Sequence, residues 1–315
     1  VRPLLEVWNA VHGYDDRFLL TVGHWQLFPG QVVAVVGPSG SGKSTFLKIL
    51  GAHLTPDEGE VRFRSRRVPP AEDRLLPGIP GVALVRQDFG QMPFRKVREN
   101  VLHFVHTESD SQEAAWSRRW LTSVGLDGWE DAPTHTLSGG QLQRLALAQA
   151  LASKPHVLLL DEPFSHLDPA TKRTLLDDLR TWQRQSNRSV VVVVHDVRDA
   201  LEWADRIDVF HGGSWIASDA PQTLYLRPPR LEVARMFGRV NEIPLERANE
   251  LFHAPLPGHP VGDTLVVYPE QLLPGHFRVL PPVLRQDFQG DRTWNVYDSP
   301  VGLLYGAAEG PRMGA

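Results

Sequence analysis

Four short aliphatic runs set the pattern of this chain: QVVAVVG near 31–37, GVALVRQ near 81–87, HVLLLDE near 156–162 and SVVVVVHD near 189–196. They are apolar on consecutive positions, which suits parallel strands buried on both faces. Helix-like stretches separate several of them, so the pattern predicts an α/β core around a parallel sheet. EGEVRFRSRRV predicts an antiparallel strand with a solvent face, and RVPPAEDRLLPGIPG a proline-rich loop. From about Gln91 to His135 no strand pattern recurs. That stretch reads as helices bearing Trp116, Trp120 and Trp129, a helical insert on the sheet. After about Gly238 proline and glycine become frequent, and DTLVVY and RTWNVYDSPVGLLYG predict short antiparallel strands. The expected division is residues 1–238 and 239–315, without internal repeats.

Composition narrows the classes. The chain has 315 residues, enough for one large domain and a smaller one. A net charge of -4 gives no basic field for nucleic acid or anionic lipid. The absence of cysteine excludes disulfides, thiolate metal sites and cysteine nucleophiles. The longest aliphatic run, Val190–Val194, is far short of the ~20 residues that cross a bilayer. The N-terminal stretch lacks a charged-then-apolar signal pattern. The expectation is a soluble chain that reaches a membrane by binding something that spans it.

GPSGSGKST, Gly37–Thr45, matches G-x-x-x-x-G-K-[ST] between a strand pattern and a helix pattern. Gly37, Ser39, Gly40, Ser41 and Gly42 let the backbone curl so that its N–H groups face phosphate oxygens. The helix that follows, opening at Ser44 and Thr45, adds roughly half a positive charge at its N-terminus. Lys43 is placed to reach the β- and γ-phosphates, and Ser44 to ligate Mg²⁺. In HVLLLDEP a buried strand delivers Asp161 and Glu162 to its carboxyl end, where α/β sheets bind ligands. Asp161 would hold Mg²⁺ through water, and Glu162 would act as general base toward the attacking water. An acidic cap after a core strand is the alternative for this pair. His195, at another strand end, would donate to the γ-phosphate or be structural.

LSGGQ, Leu137–Gln141, is a second glycine turn leading into a helix, although one nucleotide needs only one phosphate loop. In their order, the Lys43 loop, LSGGQ, the strand ending in Asp161–Glu162 and His195 resemble the ATP-binding cassette (ABC) ATPases, over roughly Val7 to Gly238. The resemblance implies a P-loop NTPase core with a helical subdomain at about residues 91–152. It also answers for the second turn: Ser138, Gly139, Gly140 and Gln141 would face the γ-phosphate of ATP held by a second subunit, so that two chains sandwich ATP head to tail. It further implies that Tyr14 stacks on adenine (a core tyrosine being the alternative), that Gln87 touches Mg²⁺, and that the stretch after Gln87 meets membrane subunits. In SHLD, Ser165 to Asp168, the aspartate would span the dimer interface. Leu142, Gln149 and Val194 depart from the family pattern, which usually has a polar or basic residue, an arginine and a serine or threonine there.

The tail DAPQTLYLRPPRLEVARMFGRVNEIPLE resembles the join to a small C-terminal β-barrel in bacterial importers for ferric iron, sulfate, molybdate, polyamines and sugars. LVVYPEQL resembles that barrel's R-P-E-x-L, with Tyr268 in place of arginine. Residues 239–315 leave room for a short, single copy. The resemblance therefore implies an ATP-hydrolysing importer subunit at the cytoplasmic face of a membrane. Its partners would be a second, identical cassette, two membrane-spanning permease subunits and an extracytoplasmic solute-binding protein, with Mg-ATP and without nucleic acid. Ferric iron is the first choice of cargo. An exporter ATPase, or a soluble ABC protein acting on ribosomes or DNA, is the alternative.

Overall fold

The computed structural model describes residues 1–15, 18–85, 92, 94–105, 109–164, 167–289 and 292–308. Two compact units divide the chain, Val1–Ser218 and Asp219–Ala315. Among the described residues no helix is long and apolar enough to cross a membrane.

One mixed sheet of ten described strands organises the first unit. Its parallel part runs, in spatial order, Val82–Val85, Val157–Asp161, Ser189–Val193, Val32–Val36 and Arg206–His211. Three of the aliphatic runs are buried at every position of their strands, as continuous apolarity requires. The fourth, Val82–Val85, is the sheet's edge, and only Val85 is buried. Here the expectation of burial on both faces fails, because an edge strand has one neighbour and the pattern cannot say which run lies outermost. Beyond Arg206–His211 come Ser214–Asp219, Phe18–Leu27, Leu5–Asp15, Glu58–Phe63 and Arg66–Arg67. The last four pair antiparallel, so EGEVRF is the expected antiparallel strand.

The helix Lys43–Leu50 buries Phe46, Leu47, Ile49 and Leu50 in a core shared with both parts of the sheet, and Phe46 meets the rings of Trp25 and Phe210. This anchors the phosphate loop, since the helix cannot shift without repacking that core.

The insert contains the helices Val97–Leu102, Asp110–Ser123 and Gly139–Ala152. Trp120 is fully buried in it and meets the edge of Trp182 on the helix Pro169–Ser186. Trp129 is exposed. A polar network lies inside the insert. The Asn100 amide donates to Met92 O, Lys96 O and Thr134 Oγ1, and its oxygen accepts from Met92 N. The Gln149 side chain donates to Asn100 O at 3.2 Å, so the residue that replaces the family's arginine has a buried partner of its own.

The second unit holds two three-stranded antiparallel sheets, Asn241–Pro244, Thr264–Val267 and His259–Val261 in one, Val283–Gln289, Arg292–Ser299 and Gly302–Ala307 in the other. They share a core that includes Ile243, Phe252, Leu265, Val267, Tyr297 and Leu304. Buried Asn241 stitches them: its amide donates to Val267 O and Tyr305 O, and its oxygen accepts from Tyr305 N. The unit begins before the composition changes at Arg239. The helices Pro221–Leu226 and Leu231–Met236 belong to it because Tyr225 stacks on Tyr268 at 4.6 Å and Tyr268 donates its hydroxyl to Ala234 O. Tyr268, standing where the family motif has arginine, is thus a buried ring of this small domain.

Replacing Asn100 with leucine removes the centre of the insert's network and leaves buried backbone and side-chain groups unpaired. The expected cost is about 1–3 kcal/mol, read as a lower urea midpoint. An unchanged midpoint would show that the network carries no stability.

A candidate nucleotide site at the carboxyl ends of the parallel strands

The strand Val32–Val36 opens into the glycine loop, and Gly42 caps the helix that begins at Lys43, with φ +98°. A Cβ at Gly42 would meet Leu20 Cδ1 at 2.8 Å and Phe18 Cζ at 3.1 Å, so both conformation and space require glycine there. The Lys43 side chain folds back along the loop and donates to Gly37 O at 2.8 Å and Pro38 O at 2.9 Å. Burial holds its ammonium below the ordinary lysine range, against the opposing charges of Glu162 and Asp161. A cation borrowing backbone carbonyls beside two acids is poised to exchange them for anionic oxygen.

Asp161 ends its strand with 8% of its surface exposed and accepts a hydrogen bond from Ser44 Oγ at 3.0 Å. Burial pushes its carboxyl above the ordinary aspartate range, and the Glu162 charge adds to that; the Ser44 hydroxyl, Lys48 and Lys43 oppose it. A hydroxyl and a carboxylate are hard oxygen donors, and the desolvated carboxylate gains from a cation. Both fit Mg²⁺, which takes one or two protein oxygens and completes its shell with water and phosphate.

Glu162 has φ +49°, the left-handed region, which costs a glutamate of order 1–3 kcal/mol. Its backbone is held on both sides: Glu162 N donates to Val193 O at 3.2 Å, and Gln143 Nε2 donates to Glu162 O at 2.9 Å.

Two adjoining clefts meet here. One, of about 340 Å³, is lined by Tyr14, Phe18, Ser39, Gly40, Gly42, Lys43, Ser44, Thr45 and Glu162. The other, of about 360 Å³, includes Ser39, Glu162, Phe164 and His195. Ser39 and Glu162 border both. Tyr14 is 58% exposed, which is not the burial of a core tyrosine, and its hydroxyl accepts from Thr45 Oγ1 at 3.5 Å. His195 is exposed, and Val194 before it donates its N–H to Val35 O. A larger groove of about 590 Å³, between the edge strand Val82–Val85 and residues such as Phe104 and Gln149, contains none of these groups; the chemistry, and not the volume, marks the site.

The LSGGQ residues Leu137–Gln141, the signature that opens the helix Gly139–Ala152, line neither cleft. The structure corrects the reading of a glycine turn followed by a helix: the helix Gly139–Ala152 already contains both glycines, and Ser138 is its cap. Ser138 Oγ accepts from Gln141 N, and Gln141 Oε1 accepts from Ser138 N, a reciprocal box that starts the helix early. The N–H groups of exposed Gly139 and half-buried Gly140 then have no intrahelical acceptor. Asp168 caps the helix Pro169–Ser186, accepting from Ala170 N and Thr171 N. Gln87 and Ser165 lie outside the described residues. Sequence reading overlooked Phe18 and Gln143. Phe18 has no motif to announce it. Gln143 follows LSGGQ closely, and a polar residue on a buried helix face was the available signal.

A family model described as ABC transporter matches residues 20–165. The spermidine/putrescine import ATP-binding protein PotA of Mycoplasma mycoides is 34% identical over 247 residues, covering 76% of this chain and 68% of the relative. The sulfate/thiosulfate import ATP-binding protein CysA 2 of Chromobacterium violaceum is 36% identical over 243 residues, covering 76% of this chain and 65% of the relative. Among solved structures, a dimeric ATP-binding cassette in a post-hydrolysis state, bound to ADP and Pi, is 27% identical with a TM-score of 0.59, covering 69% of this chain and 98% of that one.

Because burial raises the Asp161 carboxyl, ionising it opposes folding. The penalty is absent below the ordinary aspartate range, where the group is protonated folded or unfolded, and grows as pH rises through the raised value. The nucleotide-free Asp161→Asn chain should therefore melt higher than the parent at neutral pH, with the gap closing toward pH 4. Thermal midpoints across that range check it; a parent that melts higher at neutral pH would contradict it.

Proposed function

The chain belongs to the ABC transporter family of ATP-binding subunits, and on that premise we propose that it hydrolyses ATP to drive an importer. The observation that carries the reading is the gathering of Lys43, Ser44, Asp161, Glu162 and His195 around two adjoining clefts at one edge of the sheet. Adenine stacks on exposed Tyr14. The triphosphate lies along Gly37–Thr45, and Lys43 leaves the Gly37 and Pro38 carbonyls for the β- and γ-phosphates. Ser44 and Asp161 would hold Mg²⁺, with Gln87 as a further ligand, and the ion would supply charge neutralisation at the phosphates. Glu162 takes a proton from water as its oxygen bonds to the γ-phosphorus, the bond to the β,γ-bridging oxygen breaks, and ADP and phosphate result. His195 donates to the γ-phosphate as charge builds.

Two chains lie head to tail in this proposal, each presenting Ser138, Gly139, Gly140 and Gln141 to the other's ATP, with Asp168 at the interface. The free N–H groups at that helix start suit an anion, and the related dimeric cassette bound to ADP and Pi supports the arrangement. The dimer would sit at the cytoplasmic face beneath two permease subunits, supplied by a solute-binding protein. The names of both relatives as import proteins favour import over export or a ribosomal role. Cargo is another matter. Those relatives are named for a polycation and for oxyanions at nearly equal identity, and neither is named for ferric iron. Within the cassette, similarity does not follow cargo charge, so cargo is read by the partners.

Glu162→Gln should keep Mg-ATP affinity and lose roughly 10²–10⁴-fold in turnover; near-normal turnover would remove Glu162 from the role of base. Lys43→Ala should weaken ATP binding itself, measured by titration calorimetry, and unchanged affinity would count against the loop.

A further inference from the structure

Gln143 belongs to no motif assigned above, yet it is 5% exposed and its amide points at the backbone of the general base. A buried glutamine needs partners for its donors. The acceptor here is the carbonyl of Glu162, the one described site residue outside glycine with a left-handed backbone. Such a conformation persists only where its surroundings hold it. Val193 O receives the Glu162 N–H from one side, and Gln143 Nε2 meets the Glu162 carbonyl from the other. Together they fix both peptide groups that flank the Glu162 Cα, and hence the direction in which its carboxylate leaves the strand.

The other end of the connection matters as much. Gln143 lies one turn along the helix from Gly140, whose N–H, in the first turn, has no intrahelical acceptor. In the proposed dimer that start docks on the partner's ATP, while Glu162 acts on the chain's own ATP. A single helical turn, rigid through its own hydrogen bonds, therefore joins one ATP to the base that activates water against the other.

We propose that Gln143 is a positioning residue: it holds the backbone of Glu162 in its working conformation and ties that conformation to the seating of the signature helix on the partner's nucleotide. The inference rests on the proposed function. It requires that losing the Gln143 donor slow hydrolysis while leaving nucleotide binding alone.

The test uses the full chain and two substitutions of similar length that remove the amide donor, Gln143→Met and, at a pH high enough to keep its carboxylate ionised, Gln143→Glu. Mg-ATP turnover gives kcat and KM, and each substitution is repeated in the Glu162→Gln background. The expected result is a fall in kcat of roughly ten- to a hundredfold, the range for removing one orienting partner of an active-site group, with KM changed less than about threefold. In the Glu162→Gln background, residual turnover should fall no further, because a residue acting through Glu162 has nothing left to position. Should the methionine variant not fold, the glutamate variant is read by the same criteria. Unchanged kcat, a loss that multiplies with Glu162→Gln, or weakened binding matching the loss of rate would overturn the inference and leave the cassette reading intact. A parent chain that binds no Mg-ATP would overturn both.

Discussion

A buried carboxylate facing a hydroxyl, Asp161 against Ser44, is the contact on which the rest of the site depends. The two groups come from different strand–loop–helix connections and meet because Val32–Val36 and Val157–Asp161 both neighbour Ser189–Val193 in parallel. Parallel pairing puts all their carboxyl ends on one side. Register then decides the detail: Asp161 lies opposite Val193, which brings His195 to the same edge, and Val193 O takes the N–H of Glu162. Desolvation makes the arrangement costly without a cation and responsive to one.

Most of this edge was legible in the sequence, because parallel strands buried on both faces must be continuously apolar and their loops carry the chemistry. Val157–Leu160 announces Asp161, and Val32–Val36 announces the phosphate loop, without any knowledge of strand order. What periodicity could not supply was position within the sheet. Val82–Val85 is as apolar as its neighbours and forms the partly buried edge. The start of the signature helix was misread for a related reason: glycines argue for a turn, but the reciprocal hydrogen bonds of Ser138 and Gln141 cap the helix one residue before them. Gln149 and Tyr268, departures from the family pattern, are themselves buried and have partners in buried Asn100 and half-buried Tyr225. Partners far away in sequence are what one-dimensional reading lacks.

The clefts around Lys43 and Glu162 are not lined by Ser138–Gln141 or Asp168 in the single chain. A helix start with N–H groups lacking an intrahelical acceptor and a phosphate loop with a poised lysine both suit an anion, and one chain keeps them separate. The proposed head-to-tail pair would unite them, which would make ATP both substrate and adhesive and explain why hydrolysis would open the pair.

That union is the central claim, and light scattering on the 315-residue Glu162→Gln chain tests it most directly, with and without Mg-ATP. The account predicts the 35.3 kDa mass of one chain without nucleotide and twice that mass with Mg-ATP, reversed when the nucleotide is removed. A chain that binds Mg-ATP and still scatters as a monomer at every concentration would contradict it.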